Sequence, residues 1–558
     1  MNYLWSLFKA PVLWNIIFIL TLLVYTVGLP VTIMEPDAAV YAEISMEMHD
    51  SGNFLQITHK GKDWLDKPHF PFWITAFSYK FFGVGNIAYK LPAILFTLLA
   101  ALYTFLFTVR FYTKKHAYVA VLILITAQHV IISNQDVRAE PFMMGLTIMS
   151  LYHFAVYLQN KKFLHLVYGS AALACLVMTK GPFTIIPAAA GIGGSLLYNL
   201  KWKEIFHWQW IVAGLLTFLF LFPSLYAYYL QFDRHPEKLV FGKTNVSGIE
   251  FFLWTSQWGR FTNTGPIKGS GDPFFFFHTL LWAFLPWAFL AYYALYTKTK
   301  KLIRKTNSEE NYTYFGFIVL FLIFSASAFQ LSFYLNPLFP FLAILTTAAV
   351  FNMQKNRRVL KIFSAIHFVV SILLVIALCI LHYFFSGNFL HIDTIIVLVS
   401  CIALAFYLFI KKTIFMKKIL FATALIILSV DYYINRDFYP ALLKYQSESE
   451  VAYYMNKNNI HGDQLVFLQN IASITDVLLH RINPSFTYEE VKPHQLSGKY
   501  VFTAGEGLKI IESLGLKHEL ITTFDEFSVT RITGKFINRA SRNKTLKKNL
   551  LVKVSSAN

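Results

Sequence analysis

The stretch EPDAAVYAE at residues 35–43 follows an apolar run at residues 12–30, and DWLDKPH follows at residues 63–69. Together they form the densest cluster of acids in a chain that is otherwise poor in charge. Ionisable groups at membrane depth are expensive to keep and mark functional sites by default. The alternative is a solvated loop whose acids face water. The accompanying lysine, histidine and tryptophans favour a site that binds an anion and moves a proton.

The composition excludes a soluble protein of this length. Of the 558 residues, 56% are hydrophobic and only 14% are charged, and the mean hydropathy is +0.49. This predicts a polytopic membrane protein. The net charge of +19 comes mainly from short connections between apolar runs, which is typical of membrane topology, so no nucleic-acid partner is expected. The three cysteines lie inside apolar runs, and neither a disulfide framework nor a zinc site is predicted.

Apolar runs of about 20 residues predict about thirteen transmembrane helices. The runs lie near residues 12–30, 90–111, 117–133, 141–159, 164–180, 183–199, 209–230, 274–296, 313–332, 335–353, 360–385, 394–410 and 418–434. If the N-terminus is cytoplasmic, every connection expected on the inside is basic, as the positive-inside rule requires. These connections are residues 114–115, 161–162, 201–203, 298–305, 355–358 and 411–418. The acidic stretches then all face outward, so the candidate chemistry lies on one side of the membrane.

The first outer loop, residues 31–89, is predicted to hold interfacial helices. Residues 41–48 and 71–77 have helical spacing of apolar side chains. In this arrangement Glu43 and Glu47 are expected to face water.

The C-terminal segment is predicted to form a small α/β domain. Its short apolar runs alternate with helix-like stretches. The fold class is therefore mainly α, with a transmembrane domain of residues 1–434 and a C-terminal outer domain of residues 435–558. The basic stretch of residues 538–553 is expected to be a frayed end or a membrane-surface contact.

Three further outward-facing motifs carry candidate site residues. The motif NQDVRAEP at 134–141 places Asp136 and Glu140 four residues apart, on one face if the segment is helical. The motif TKGP at 179–182 places a lysine at the end of a span. The motif QLSFYLNP at 330–337 puts a polar break between two spans, where irregular backbone is tolerated only against protein or a water-filled cavity.

In their order, these motifs resemble those of the polytopic C-type glycosyltransferases that use polyprenyl-phosphate sugars, the family of the lipid A aminoarabinose transferase and the protein mannosyltransferases. The family pattern has an acidic pair ahead of a Tyr-Ala-Glu run, a Lys-Pro pair before an aromatic stretch, an acid-Pro pair opening the fourth span, and a Lys-Gly-Pro-like turn. Here these are Asp37 with residues 41–43, then residues 67–68, 140–141 and 180–182. The resemblance covers roughly residues 10–350.

The resemblance implies roles for the matching residues. Asp37 is expected to activate the acceptor hydroxyl, with Glu140 as a second catalytic carboxylate. Lys67 and Lys180 are expected near the donor phosphate, because a phosphate leaving group needs cations to hold its charge. In related enzymes the acid before the Lys-Pro pair can bind a divalent metal ion, which makes Asp66 the candidate ligand.

The remaining candidates for substrate binding are Tyr41, Asp136, Arg138 and Tyr334. For Arg138, a salt bridge to Asp136 or Glu140 is the alternative to a phosphate contact.

The sequence also departs from the family pattern. Ala38 and Val40 stand where many relatives have a second acid and an arginine, and Gln330 stands where many have a lysine. Arg138 and Arg260 are the candidates to compensate.

The resemblance implies an inverting glycosyltransferase that moves a pentose or hexose, aminoarabinose among the candidates, from a polyprenyl monophosphate carrier. The acceptor is lipid A, a glycan or a protein, at the periplasmic face of a bacterial inner membrane. The expected partners are the donor, the acceptor and membrane lipids. The alternative is a transporter or flippase of a lipid-linked or anionic solute, with the same charged residues as gates. Charges clustered at one interface favour catalysis.

Overall fold

The computed structural model describes residues 11–264, 268–307, 309–354, 356–387, 390–411, 414–469 and 472–555. Lys355 and residues 412–413, which belong to the predicted basic connections, lie outside these ranges. Within the ranges the chain is mainly helical, as predicted, with a sheet near the C-terminal end.

The described residues include seven helices that are long and apolar enough to cross a membrane. They are Asn86–Phe111, Glu140–Asn160, Phe163–Lys180, Trp202–Asp233, Ser332–Met353, Arg357–Phe385 and Ile392–Ile410. A bent pair adds Lys114–Ile125 and Gln128–Gln135, which meet at 54°. The other helices that overlap predicted runs are Pro11–Val27, Pro182–Tyr198, Phe275–Ala283, Ala288–Ile303, Tyr312–Ala326 and Thr423–Tyr433. The protein is therefore a multi-pass membrane protein, and the number of thirteen crossings stays a prediction.

Two of the shorter apolar helices, Pro182–Tyr198 and Tyr312–Ala326, approach each other through a glycine. A Cβ atom on Gly191 would lie 2.8 Å from the carbonyl oxygen of Tyr312. Lipid tails are as apolar as the helix surfaces, so close backbone approach and van der Waals contact drive this kind of packing. The glycine therefore sets the distance between the two helices.

Replacement of this glycine should loosen the helix pair. We expect Gly191→Ala to lower the melting temperature of the purified protein in detergent, because the added methyl group meets backbone that cannot rotate away; overpacking of this kind costs about 1–3 kcal/mol. The control is Gly193→Ala in the same helix, since nothing lies within 4 Å of a Cβ atom there. Equal melting temperatures for the two variants would contradict the close approach.

The first outer loop folds into two helices, Pro36–Ser51 and Phe70–Phe82. A two-stranded antiparallel hairpin of Thr58–His59 and Lys62–Asp63 lies between them. Both predicted helices are thus present, and each is longer than its apolar spacing indicated.

The expectation that Glu43 faces water is wrong. Its side chain is fully buried, because the C-terminal part of the chain covers this face of the helix. Ile474 and Val477 belong to the same buried cluster as the apolar residues of the helix. Glu47, one turn further on, is half-buried and accepts a hydrogen bond from the Thr58 hydroxyl at 2.7 Å.

The C-terminal part contains a five-stranded sheet. In spatial order its strands are Ser485–Phe486, Leu465–Leu468, Tyr500–Ala504, Lys547–Val554 and His518–Glu526. The first three are parallel, and the last two join in antiparallel fashion. The helices of this part are Ser447–Lys457, Ser473–Leu479, Pro493–Leu496, Gly505–Ser513, Gly534–Ile537 and Arg539–Arg542. The domain boundary at residue 434 stays a prediction, and the helical backbone continues there from residue 415 to 443.

The expectation of a frayed or membrane-bound stretch at residues 538–553 is wrong. Lys547–Val554 is a strand that pairs with a neighbour on each side. Leu551, Val552 and Val554 are buried in the domain core, whereas the lysines of the strand stay more exposed. Pairing on both edges satisfies the backbone groups that an end strand would leave open.

Candidate active site

A cavity of about 240 Å³ lies where the first outer loop meets the ends of several apolar helices. Eight of the nine predicted site residues line it, namely Asp37, Tyr41, Asp66, Lys67, Arg138, Glu140, Lys180 and Tyr334. The ninth, Asp136, is not part of the lining and accepts a hydrogen bond from Arg138 at 3.2 Å. The structure therefore brings together residues that are nearly 300 positions apart in the chain.

The helix Pro36–Ser51 begins at the cavity. Its N-cap is Glu35, whose carboxylate accepts a hydrogen bond from the backbone N–H of Asp37 at 2.9 Å. An acidic N-cap followed by proline is a favourable start for a helix. Tyr41 lies one turn after Asp37 on the same face. This geometry explains why both side chains line the cavity.

Asp37 differs from the other charged residues of the cavity lining. Every other charged side chain there takes part in an ion pair. Across the ranges that the structure describes, the carboxylate of Asp37 has neither an ion pair nor a hydrogen bond, and the residue is exposed. It is therefore free to accept a proton from a bound ligand.

Asp66 lies between two cations. Lys67 donates a hydrogen bond to one carboxylate oxygen, and Arg260 donates to the other at 2.5 Å. Burial alone would raise the pKa of Asp66, but Lys67 and Arg260 hold it below its usual range. Burial also lowers the pKa of Lys67. Two cations against one carboxylate leave this end of the cavity positively charged.

Arg260 is a cavity residue that the sequence offered only as a replacement for a missing arginine. It lies on the short helix Ser256–Thr262 in the outer loop of residues 231–273. No motif marks this position, and the loop is notable in the sequence mainly for its aromatic residues. The ion pair with Asp66 exists only in the folded chain, so no local pattern could reveal it.

Lys180 and Glu140 join the ends of two apolar helices. Lys180 is the last residue of Phe163–Lys180, and Glu140 is the first residue of Glu140–Asn160. The lysine donates a hydrogen bond to the carboxylate, and both side chains are buried. The ammonium group also lies 4.3 Å from the centre of the Tyr334 ring. The carboxylate and the aromatic ring together stabilise a cation that would be costly to bury alone.

Arg138 forms salt bridges to Glu35 at 3.0 Å and to Asp136 at 3.2 Å. The sequence suggested a salt bridge from Arg138 to Asp136 or to Glu140, and the structure contains the one to Asp136. The guanidinium group also lies 4.2 Å from the centre of the Phe333 ring. A phosphate contact of Arg138 stays a prediction.

The residues around Asp66 do not fit a divalent metal ion. Both carboxylate oxygens are paired with cations, and a hard cation needs several oxygen ligands. Within the described ranges, no group of three or more His, Cys, Asp and Glu side chains could hold a metal ion. We therefore derive no step through a metal, and a metal requirement stays a prediction.

The profile of the family described as Dolichyl-phosphate-mannose-protein mannosyltransferase matches residues 66–227, a segment that includes Asp66, Lys67, Glu140 and Lys180. A protein of Aquifex aeolicus is 27% identical over 395 residues, which are 70% of this chain and 72% of that protein. An undecaprenyl phosphate-alpha-4-amino-4-deoxy-L-arabinose arabinosyl transferase of Shewanella sediminis is 26% identical over 360 residues, which are 62% of this chain and 61% of that enzyme. The chain thus matches less than two thirds of the length of this second relative.

The overall fold is shared with a solved bacterial protein. The crystal structure of ArnT from Cupriavidus metallidurans bound to undecaprenyl phosphate superposes with a TM-score of 0.73 at 17% identity, over 96% of this chain and 97% of that chain. At this identity the likeness concerns the fold. Together with the family profile and the curated relatives, it confirms the resemblance to transferases that use polyprenyl-phosphate sugars and indicates a glycosyltransferase.

Titration of Glu35 should link folding to pH. Burial raises the pKa of Glu35 from 4.5 to about 7, with Asp136 and Asp37 adding to the effect and Arg138 opposing it. The folded protein therefore takes up this proton as the pH falls through about 7, whereas the unfolded chain takes it up only near 4.5. The resulting stabilisation is absent above the raised pKa and grows as the pH falls towards the unfolded value.

When the pH is lowered from about 8 to about 5, the free energy of unfolding should rise in the wild type. We expect this rise to be smaller by about 1 kcal/mol in Glu35→Gln. Chemical unfolding in detergent at several pH values measures this difference. Glu490→Gln changes an exposed acid and serves as the control. Parallel curves for the wild type and Glu35→Gln would contradict the raised pKa.

Proposed function

We propose that this protein is an inverting glycosyltransferase that moves a sugar from a polyprenyl monophosphate carrier to an acceptor at the periplasmic face of a bacterial inner membrane. The observation that carries the proposal is one cavity that holds several cations and a carboxylate without a partner among the described residues. The carboxylate is Asp37, and the cations are Lys67, Arg138, Lys180 and Arg260.

The chemistry follows from these groups. Asp37 accepts the proton of the acceptor hydroxyl while the oxygen of that hydroxyl attacks the anomeric carbon of the sugar. The bond from that carbon to the phosphate oxygen breaks, and its electron pair leaves with the polyprenyl phosphate. The leaving phosphate gains one negative charge, which Lys67, Arg260 and Lys180 stabilise. A single displacement of this kind inverts the anomeric configuration.

The remaining lining residues suit the recognition of substrates. Among the described residues, the hydroxyl groups of Tyr41 and Tyr334 have no hydrogen-bond partner, and both residues line the cavity. We assign them to the sugar or its phosphate. Glu140 accepts a hydrogen bond from Lys180 through one carboxylate oxygen. The other oxygen is available to the substrates, and we assign Glu140 as a second catalytic carboxylate.

The lipid tail of the donor has a matching surface. An apolar groove of about 550 Å³ lies between the helices that end or begin near Lys180, and its lining includes Val177, Pro182 and Leu221. A polyprenyl chain buried there would leave its phosphate close to the cations, so that the tail supplies binding energy and the charged cavity supplies catalysis.

The sugar and the acceptor are the finer part of the proposal. The printed names of the arabinosyl transferase relatives support 4-amino-4-deoxy-L-arabinose as the first sugar to test, ahead of other pentoses and hexoses. Lipid A, other glycans and protein side chains are the acceptor classes. Pocket contacts decide such specificity, and fold likeness alone does not.

Substitution of the proposed base tests the function directly. With a labelled undecaprenyl-phosphate sugar and a crude envelope acceptor, we expect Asp37→Asn to lower transfer by about 10²–10⁴-fold, because the amide cannot take the proton. Asp50→Asn, at the other end of the same helix and exposed, should keep wild-type transfer. The product should carry the inverted anomeric configuration. Protein-dependent movement of intact lipid across vesicles, without transfer from any donor, would instead support a flippase.

The cations near Asp66 should act mainly on the donor. We expect Lys67→Met and Arg260→Met each to lower kcat/KM for the donor by about 10²-fold, since each removes a charge-assisted contact to phosphate. Lys238→Met is the control, because Lys238 pairs with Asp63 at 3.0 Å outside the cavity lining. Unchanged donor kinetics in both variants would exclude these two residues from the phosphate site.

A further inference from the structure

A second cluster of charged side chains lies outside the proposed active site, on the far part of the helix that carries Asp37. The carboxylate of Glu43 lies 2.9 Å from Nε2 of His59 and 3.4 Å from Nζ of Lys60. Lys60 also forms an ion pair with Asp476. Glu43 and Asp476 are fully buried, so neither carboxylate keeps the water that would otherwise stabilise its charge.

This cluster joins three separate parts of the fold. Glu43 lies on the helix Pro36–Ser51, six residues after Asp37. His59 and Lys60 lie at the turn of the loop hairpin, and Asp476 lies on the helix Ser473–Leu479 of the C-terminal part. Lys60 therefore connects the helix of the proposed base to the C-terminal part.

The segment that precedes Asp37 is held by the same C-terminal part. The side-chain amide of Gln446 donates hydrogen bonds to the backbone carbonyls of Ile33 at 3.3 Å and Met34 at 3.2 Å. The hydroxyl groups of Thr32 and Tyr453 lie 2.5 Å apart. Contacts from the C-terminal part thus flank Asp37 on both sides along the chain.

Apolar contacts also join the two parts, since Ile474 and Val477 pack with the apolar residues of the loop helices. Replacement of a buried ion pair by apolar side chains is often neutral or stabilising, and buried charges in some proteins fix one arrangement among several. Burial raises the pKa of Asp476, and Lys60 opposes that rise. The charge on Asp476 therefore depends on the presence of Lys60 beside it.

We propose that Lys60 and Asp476 are positioning residues, which hold the helix of Asp37 so that the C-terminal domain sets the rate of transfer. This inference rests on the proposed function. The cations assigned to the donor lie on other segments, Lys67 before the helix Phe70–Phe82, Lys180 at a helix end and Arg260 in the outer loop. Loss of the positioning contact should therefore lower kcat and leave the donor KM nearly unchanged.

The test compares Lys60→Met and Asp476→Asn with the wild type in detergent. We expect kcat to fall by about 10- to 100-fold, because small displacements of a catalytic group are costly, while the donor KM changes by less than about twofold. Lys60→Arg keeps the charge and should restore most of kcat. Asp525→Asn is the matched control, since it removes the acid of the Lys548 pair on the exposed edge strand of the same domain.

Hydrogen exchange provides a readout that needs no turnover. Backbone amides of residues 36–51 should exchange faster in Lys60→Met and Asp476→Asn, and those of residues 140–160 should not change. Tyr453→Phe removes one hydroxyl group from a partly exposed ring and should speed exchange in residues 32–37, even if the charge variants do not fold.

The outcomes separate this inference from the proposed function. Absence of transfer by the wild type would overturn the proposed function, whereas hydrogen exchange would still report on the coupling. Wild-type kcat and wild-type exchange in folded Asp476→Asn would overturn the positioning role. A donor KM that rises as much as kcat falls, or a Lys60→Arg variant as slow as Lys60→Met, would overturn it as well.

Discussion

The ion pair between Lys180 and Glu140 shows the constraint on which the structure depends. Charged groups are costly at membrane depth, and this chain places them at the ends of its apolar helices. Lys180 closes one helix and Glu140 opens another, so that each compensates the charge of the other. The polar residues of the cavity are thereby concentrated in one layer, while the apolar helix surfaces remain free for lipid.

The cost of charge at membrane depth also explains how the first outer loop contributes charged residues to the cavity. Residues 35–37 begin a helix that carries a free carboxylate into the cavity, and residues 66–67 contribute an acid and a cation at the other side of the loop. The two helices of the loop pack on each other, and Ile474 and Val477 of the C-terminal part join the same buried cluster. Helices of this length owe most of their stability to such packing. The cavity is enclosed where this loop meets the segments that carry Glu140, Lys180 and Tyr334.

The sequence predicted the site better than it predicted the surfaces of individual elements. Glu140 and Lys180 stood out because each lies at the end of an apolar run, and Lys67 because it lies in the charged cluster of the first outer loop. The resemblance to a known family supplied their expected roles. Glu43 was misassigned because helical periodicity does not reveal which face a distant segment will cover. Arg260 was underrated because its partner, Asp66, is 194 residues away. The strand Lys547–Val554 was missed because the lysines among its residues favoured a basic surface segment. Its apolar residues enter the domain core.

Asp66 gives the cavity a built-in counterion. Because its two oxygens already hold Lys67 and Arg260, an anion that enters must compete with a carboxylate that is tethered in place and therefore present at high effective concentration. Binding of such a ligand is an exchange of partners, and its net affinity is the difference between two pairings. Small free anions gain little from this exchange, whereas an anion with a long apolar tail gains the burial of that tail in addition. A spent carrier that bears such a tail would also be released more readily, since the counterion returns as the phosphate leaves.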